Sequence, residues 1–439
     1  MRHIYQKSSA PRAAARGVRA IAALSLAGIG LLVAIEACNS NRLLDVATPN
    51  NVPVAILDAP ENASLMVNSA ITDFECAFGS AVLVEGIISD ELGDAQLGAA
   101  GWPYDRRDAN TQTNGIYGAN SCNSAQNPGI YTPLATARWD ADHAVKNLTL
   151  WTDAQVPNRQ LLLAQSNLYA GFSYAMFAMS LCQAAFDLGP AVDQPGMFAL
   201  AEQRFTAAIA AAQAAGDKSI LNAAYVGRAR VRLYQGNTSA AAADAALVPA
   251  GFVYNAVFDA TNARRYNRVY SATAEFGDYT VETQSQNLKT ENNEADPRAA
   301  VKLTTTRPAD AKTPIYVPNK YAGGDAVPIP MARYEEAQLI IAEVQGGATA
   351  VSIINAMRAP VNLKPYAGPA DATSIKNLVI DERRRVLFVE GFRNYDIGRF
   401  KIPFNPAVGT PFPLKGGTYG NTVCLPLPDV ERFNNPNIT

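Results

Sequence analysis

The feature that most constrains this chain is a recurring pair of alanine-rich helical segments joined by a short turn. Leu161 to Leu181 and Phe198 to Ala215 carry helical periodicity, as do Ile220 to Tyr234, Ala240 to Leu247, Arg333 to Val344 and Ala350 to Met357. Asp187-Leu188-Gly189-Pro190, Gly216-Asp217, Gly236-Asn237 and Gly346-Gly347 interrupt them. In the second helices a small residue is followed by larger ones at offsets four and seven: Ala201, Phe205, Ala208; Ala240, Asp244, Leu247; Ala350, Ile354, Met357. That spacing lets one helix approach its neighbour closely, as in tetratricopeptide repeats. Asp244 breaks the apolar pattern, so the repeats are degenerate. The expected fold is mainly α: tetratricopeptide-like helix hairpins in a single domain, with long irregular loops and a few short strands.

Two stretches lack this pattern. Leu92 to Pro133 is rich in Gly, Asn, Gln and Tyr, and Gly251 to Pro330 mixes Tyr, Asn, Pro and Thr with short β-like runs such as Tyr279 to Thr283. Loops this long in a compact chain usually serve function.

Composition narrows the classes. The 439 residues are 48% hydrophobic and 17% charged, enough apolar material for a large core, and the formal net charge of -2 gives no footprint for nucleic acid. Only His3 and His143 are histidines, which excludes zinc sites built from several imidazoles and leaves any triad chemistry dependent on His143. His143 lies in a helix-like stretch, Arg138 to Asn147, with no nucleophile motif beside it, so a structural role is expected. No metal and no cofactor are expected.

The N-terminus has the layout of a bacterial export signal. Arg2, Lys7, Arg12, Arg16 and Arg19 precede an apolar run from Ala20 to Ile35 that is shorter than the roughly 20 residues needed to span a bilayer. It ends at Ile35-Glu36-Ala37-Cys38, which resembles a lipobox, although Glu36 departs from the usual small residue. Residues 1–37 are therefore expected to be removed, with Cys38 lipidated as the membrane anchor. Cys76, Cys122, Cys182 and Cys424 remain for an oxidising compartment. Four cysteines allow three pairings, besides four free thiols. A Cys76–Cys122 bridge, stapling the polar stretch between them, is the expected one, and Cys182 with Cys424 stays open.

The most specific strings lie in the last third: Arg333 to Glu343, Asn355-Ala356-Met357-Arg358, and Asp381 to Phe400, which reads DERRRVLFVEGFRNYDIGRF. With Asp45-Val46 and Val84 to Glu91 before them, and Leu425 to Pro428 and Asn434 to Asn437 after, their order resembles the SusD/RagB family of outer-membrane nutrient-binding lipoproteins. The resemblance spans nearly all of 38–439, with helical repeats and binding loops in 38–330 and the family strings in 331–439. It implies a non-enzymatic protein, lipid-anchored at the outer membrane and exposed at the cell surface, that binds an oligosaccharide or other nutrient. It also implies a TonB-dependent, SusC-like transporter as partner.

Read as one helix, the longest string puts Glu382, Val386, Val389 and Arg393 on a stripe with Ile375, Leu378 and Val379, so charges face the core and must be paired. Glu382, Glu390, Arg393, Asp396 and Arg399 are expected to form structural ion pairs holding the last helix to the repeats. The alternative, Glu382 and Glu390 as an acid/base pair in an α-helical glycan hydrolase, requires substrate access that a packing helix does not give. A third reading is a repeat scaffold that binds only protein. For the ligand, sugars stack their C–H faces on aromatic rings and bond to planar polar groups. Trp102, Tyr104, Asp105 and Tyr117 in the loop after Leu92 are the expected contacts, with Tyr266, Tyr270 and Tyr279 in reserve.

Overall fold

A computed structural model describes residues 58–98, 101–110, 116–413 and 415–438. Residues 1–37 and Cys38 lie outside the described residues.

Ten helices of eight or more residues build the core: α1 Ala63–Ile88, α2 Tyr131–Leu150, α3 Arg159–Ser180, α4 Gln194–Ala215, α5 Lys218–Tyr234, α6 Thr238–Ala245, α7 Tyr334–Gln345, α8 Gly347–Arg358, α9 Ala372–Val386 and α10 Arg393–Phe400. Their ends follow local chemistry. Asp193 caps α4 by accepting from Gly196 N at 3.0 Å. The helix stops at Gly216, whose φ of 72° a side chain would resist, and Asp217 at once caps α5 through Ile220 N at 2.8 Å. Consecutive hairpins α3 through α6 pack in sequence order, and α7 lies on α5 and α6. Phe205 of α4 fills the space left by two glycines: a Cβ on Gly171 of α3 would meet its ring at 2.8 Å, and one on Gly227 of α5 at 2.5 Å.

The small-then-large pattern holds in α4 and α8, where Ala201, Phe205, Ala208, Ala350 and Ile354 are buried. In α6 it is displaced by one residue. Ala241, Ala245 and Val248 face inward while Leu247 is 56% exposed. Asp244 stays on the inward side, where Arg228 and Arg232 each bond to it at 2.8 Å.

Four two-stranded antiparallel ladders sit beside the helices: β1 Leu92–Asp94 with β5 Tyr279–Val281, β2 Gln183–Ala185 with β3 Ala191–Asp193, β4 Val253–Ala256 with β8 Ile329–Arg333, and β6 Val301–Leu303 with β7 Tyr316–Pro318. The Cys76–Cys122 bridge ties α1 to the irregular stretch after β1, and Cys182–Cys424 ties the end of α3 to the C-terminal tail. No helix among the described residues is long and apolar enough to cross a membrane.

The continuous helix expected through Arg393 is two helices. Between α9 and α10 the chain turns a corner in which Val389 and Gly391 have φ of 49° and 83°. Glu382 and Arg393 therefore belong to different clusters. Glu382, with no exposed side-chain surface, meets Arg298 at 2.6 Å, Arg385 at 2.8 Å and Arg358 at 3.1 Å. Asp396 joins Arg383 and Arg399, each at 2.8 Å, and Arg399 continues to Glu343 on α7 at 2.5 Å. Glu390 takes Lys320 at 2.6 Å and Arg333 at 3.0 Å. Arg393 clasps Asp90, just past α1, with bonds of 2.7 and 2.9 Å.

Two carboxyls near that clasp lack a cation of their own. Glu85 is pushed up to about 7 and Glu91 to about 8, in both cases chiefly by burial. Ser180 and Asn394 beside Glu85 offset that burial only in part.

Two outcomes follow. Arg393→Met leaves the buried Asp90 with Arg384 alone, at 3.1 Å, so chemical denaturation should show a loss near the lower end of the range for breaking a buried pair, about 3 kcal/mol. Because the folded state holds the Glu85 and Glu91 protons more tightly than the unfolded chain, their contribution is full below pH 4.5 and is lost as pH rises through about 7 and 8. Glu85→Gln should flatten the fall in stability between pH 5 and 8 by roughly 3 kcal/mol. An unchanged pH profile would mean Glu85 is ionised throughout.

Candidate functional site

The two irregular stretches meet. β1 opens the first and β5 lies in the second, and their ladder pairs Leu92 with Val281 and Asp94 with Tyr279. Beyond it the C-terminal loop 404–420 closes over, forming a cleft of about 340 Å³. Its walls are Asp94 and Asp105 from the first stretch, Glu282, Asp310 and Tyr316 from the second, and Phe412, Lys415 and Tyr419 from the loop.

Arg107 fastens the loop. Its φ of 53° aims the guanidinium into the loop, where Nη2 donates to Pro406 O at 2.5 Å and Nε to Gly420 O at 3.2 Å. The guanidinium also lies 4.6 Å from the Phe404 ring centroid and 4.7 Å from that of Tyr419. Thr422 N and Oγ1 return hydrogen bonds to Arg107 O. The tail is thereby held against the short helix Trp102–Asp105.

The electrostatics are those of crowded carboxyls. Asp94 is paired with Lys415, yet burial pushes it up to about 6. Asp105 accepts a 2.8 Å bond from Asp94 N, and burial followed by the charges of Glu282 and Asp94 raises it well above the usual carboxylate range. Burial also raises Glu282, whose carboxylate packs over Gly93, where a Cβ would lie 1.9 Å from Oε1. Asp310 is the exception: bonds from Thr313 and Lys312 N offset its burial and hold it low. The cleft thus offers carboxyl groups that accept and, when protonated, donate hydrogen bonds, set beside aromatic rings.

Of the residues expected from the sequence, Asp105 lines this cleft. Trp102 is half-buried, with Lys415 and Arg106 each 5.8 Å from its ring and an indole N–H that is buried without a partner. Tyr104 and Tyr117 are core residues, 2% and 0% exposed, and Tyr104 gives its hydroxyl to Pro128 O at 2.8 Å. A stacking contact needs a free ring face, which neither has, so the exposure expected of them is corrected: both pack beneath the loop. Tyr279 is likewise buried, with its hydroxyl on Gln126 O, and Tyr266 and Tyr270 are absent from the cleft wall. The sequence reading passed over Glu282, Asp310, Tyr316, Phe412, Lys415 and Tyr419, which no local motif links.

The other chemically suggestive residues are occupied. Glu382 and Glu390 are buried among arginines and Lys320, away from the cleft. His143 bonds Asp58 at 2.6 Å and stacks on Trp139 with centroids 4.7 Å apart. Among the described residues, no group of three or more His, Cys, Asp or Glu is arranged to hold a metal.

No protein-family model and no curated protein matches the chain. Solved structures do. A SusD-like carbohydrate-binding protein from Bacteroides vulgatus ATCC 8482 superposes with a TM-score of 0.64 at 15% identity, covering 87% of this chain and 97% of its own. A SusD superfamily protein from the same organism gives 0.62 at 16% identity, with 87% and 98% coverage. Surface glycan-binding protein A from Bacteroides uniformis gives 0.60 at 15% identity, with 86% and 98% coverage. The chain therefore shares the fold of these SusD-like structures over most of its length.

Proposed function

We propose that this chain is a surface lipoprotein, anchored through Cys38, that holds an oligosaccharide in the β1–β5 cleft without cleaving it. From there it passes the ligand to a TonB-dependent, SusC-like outer-membrane transporter. The observation that carries the reading is the cleft itself. It is the place where both irregular stretches converge, and it pairs aromatic rings with carboxyl groups as sugar recognition requires. Structural neighbours that are named for carbohydrate or glycan binding support the ligand class. The lipobox-like Ile35 to Cys38 supports the anchor.

Within the cleft, Glu282 and Asp105 accept from sugar hydroxyls, while the half-buried Tyr316 supplies apolar contact and Phe412 backs the wall. Trp102 stands nearby as a rim residue, and Tyr104 and Tyr117 support the wall from below. A second reading has one specific observation behind it: Asp105 and Glu282 are both raised by burial, as a glycosidic general acid must be. Product analysis on any bound oligosaccharide decides between holding and cutting.

In a thermal-shift screen of the mature chain against oligosaccharides, a hit should raise the melting temperature. Tyr316→Ala and Glu282→Ala should each weaken that hit at least about tenfold by calorimetry while the fold is retained. Unchanged affinity in both variants would move the site elsewhere, and released product would replace binding with hydrolysis. For the anchor, Cys38→Ser should leave the precursor unlipidated by intact mass and shift the protein out of the membrane fraction. Wild-type protein that is membrane-bound yet unmodified would count against Cys38.

A further inference from the structure

A second cleft, of about 450 Å³, opens between the first turn of α7, the end of α8 and the chain around Arg298. We propose that it binds a ligand joining one carboxylate to an apolar body.

The charged end of the cleft is formed by two arginines whose bonds are only partly used. Arg298 spends Nε and Nη2 on Asp296 and Glu382, and Nη1 has no bonded partner. Arg333 gives Nη2 to Val386 O and Glu390, while its Nη1 has only Glu335, at 4.0 Å. A guanidinium carries five N–H donors in a planar fork that suits a carboxylate, so each arginine has an edge to spare. The local charge points the same way. Lys320 and Arg333 both converge on the carboxylate of Glu390, and the second positive charge is balanced by Glu335 at 4.0 Å from Arg333, too far for a hydrogen bond and open to a competing anion. Tyr334, Glu335 and Gln338 from the first turn of α7 line the cleft beside these arginines.

The far end is apolar: Ile353, Met357, Pro360 and Val361 line it. Branched and thioether side chains cannot bond hydroxyls, so a sugar buried there would leave its hydroxyls desolvated and unpaired. A carboxylate on an apolar body satisfies both ends. This chemistry is shared by a small free acid and by a polypeptide C-terminus that ends in an apolar residue. Glu335, 40% exposed on its side chain, is the group that such an anion displaces from Arg333.

The test uses calorimetry on the mature chain with N-acetyl-leucine, N-acetyl-leucinamide, glucuronate and a tetrapeptide ending in leucine, with and without C-terminal amidation. The acid should bind saturably and at least about tenfold more tightly than either its amide or glucuronate. Met357→Trp, which fills the apolar end without touching an ion pair, should abolish binding. Glu335→Gln, which removes the competing carboxylate, should strengthen binding severalfold, a gain that a purely structural glutamate would not give. A tetrapeptide that binds more tightly than N-acetyl-leucine and fails on amidation identifies a polypeptide terminus as the source, and equal affinities identify a free acid. Equal binding of acid and amide, tighter binding of glucuronate, no binding at all, or full binding by a folded Met357→Trp protein overturns the proposal.

Discussion

Asp90 and Arg393 meet with 4% and 7% of their surfaces exposed, and much of the rest of the structure follows from the need to keep them together. Neither charge is tolerable alone at that depth, so the chain just past α1 and the corner after α9, far apart in sequence, must close on each other before either is stable. The same short stretch reaches in other directions as well. Ser285 Oγ donates to Asp90 O at 2.6 Å, Glu282 N donates to Glu91 O at 3.0 Å, and β1 begins at the next residue. One charged contact thus fixes where β1 and β5 lie, and the cleft inherits its floor from the core.

The helices that could be read from the sequence were those with one wet face. α4, α5, α7 and α8 alternate buried and exposed residues at helical spacing, and their capping aspartates and glycines mark the ends. α1 was not read as a helix, because its second half is buried all round and leaves no amphipathic stripe to detect; Val84 to Glu91 drew notice only for its family resemblance. In α6 Asp244 was counted as an interruption of the inward stripe, when two arginines accommodate it there and the apolar partners are Ala241, Ala245 and Val248. The corner after α9 escaped because apolar and charged residues happen to continue the helical period across it. Gly391, with its positive φ, was the one local sign.

The site was less legible than the fold for a related reason. Its wall is assembled from three segments far apart in sequence, within 93–105, 280–316 and 412–419, and the third was not singled out for ligand contact. Composition marked the loop after Leu92 and the second irregular stretch as unusual but could not say which tyrosines lay over the core and which beside the opening. Tyr104 and Tyr316 illustrate the difficulty: neither neighbourhood states its depth, and depth decides whether a ring packs or binds. Asp105 could be picked out because a polar side chain beside aromatics is unusual whichever way it faces.

The cystine between Cys182 and Cys424 spans 242 residues of sequence, and its place matters more than its span. Leu425 N donates to Ser180 O and Cys182 N to Leu425 O, so the tail is stitched to the end of α3 immediately after the cleft-closing loop. On the other side of that loop, α10 is pinned by Asp396. A loop tethered at both ends, with Arg107 gripping Phe404 and Pro406 on one side and Tyr419 and Gly420 on the other, has few shapes available, and most of the ordering a ligand would otherwise impose has been completed at folding. Reducing that one bond in an otherwise intact molecule should therefore loosen the grip on a ligand, chiefly by faster release, long before it loosens the fold.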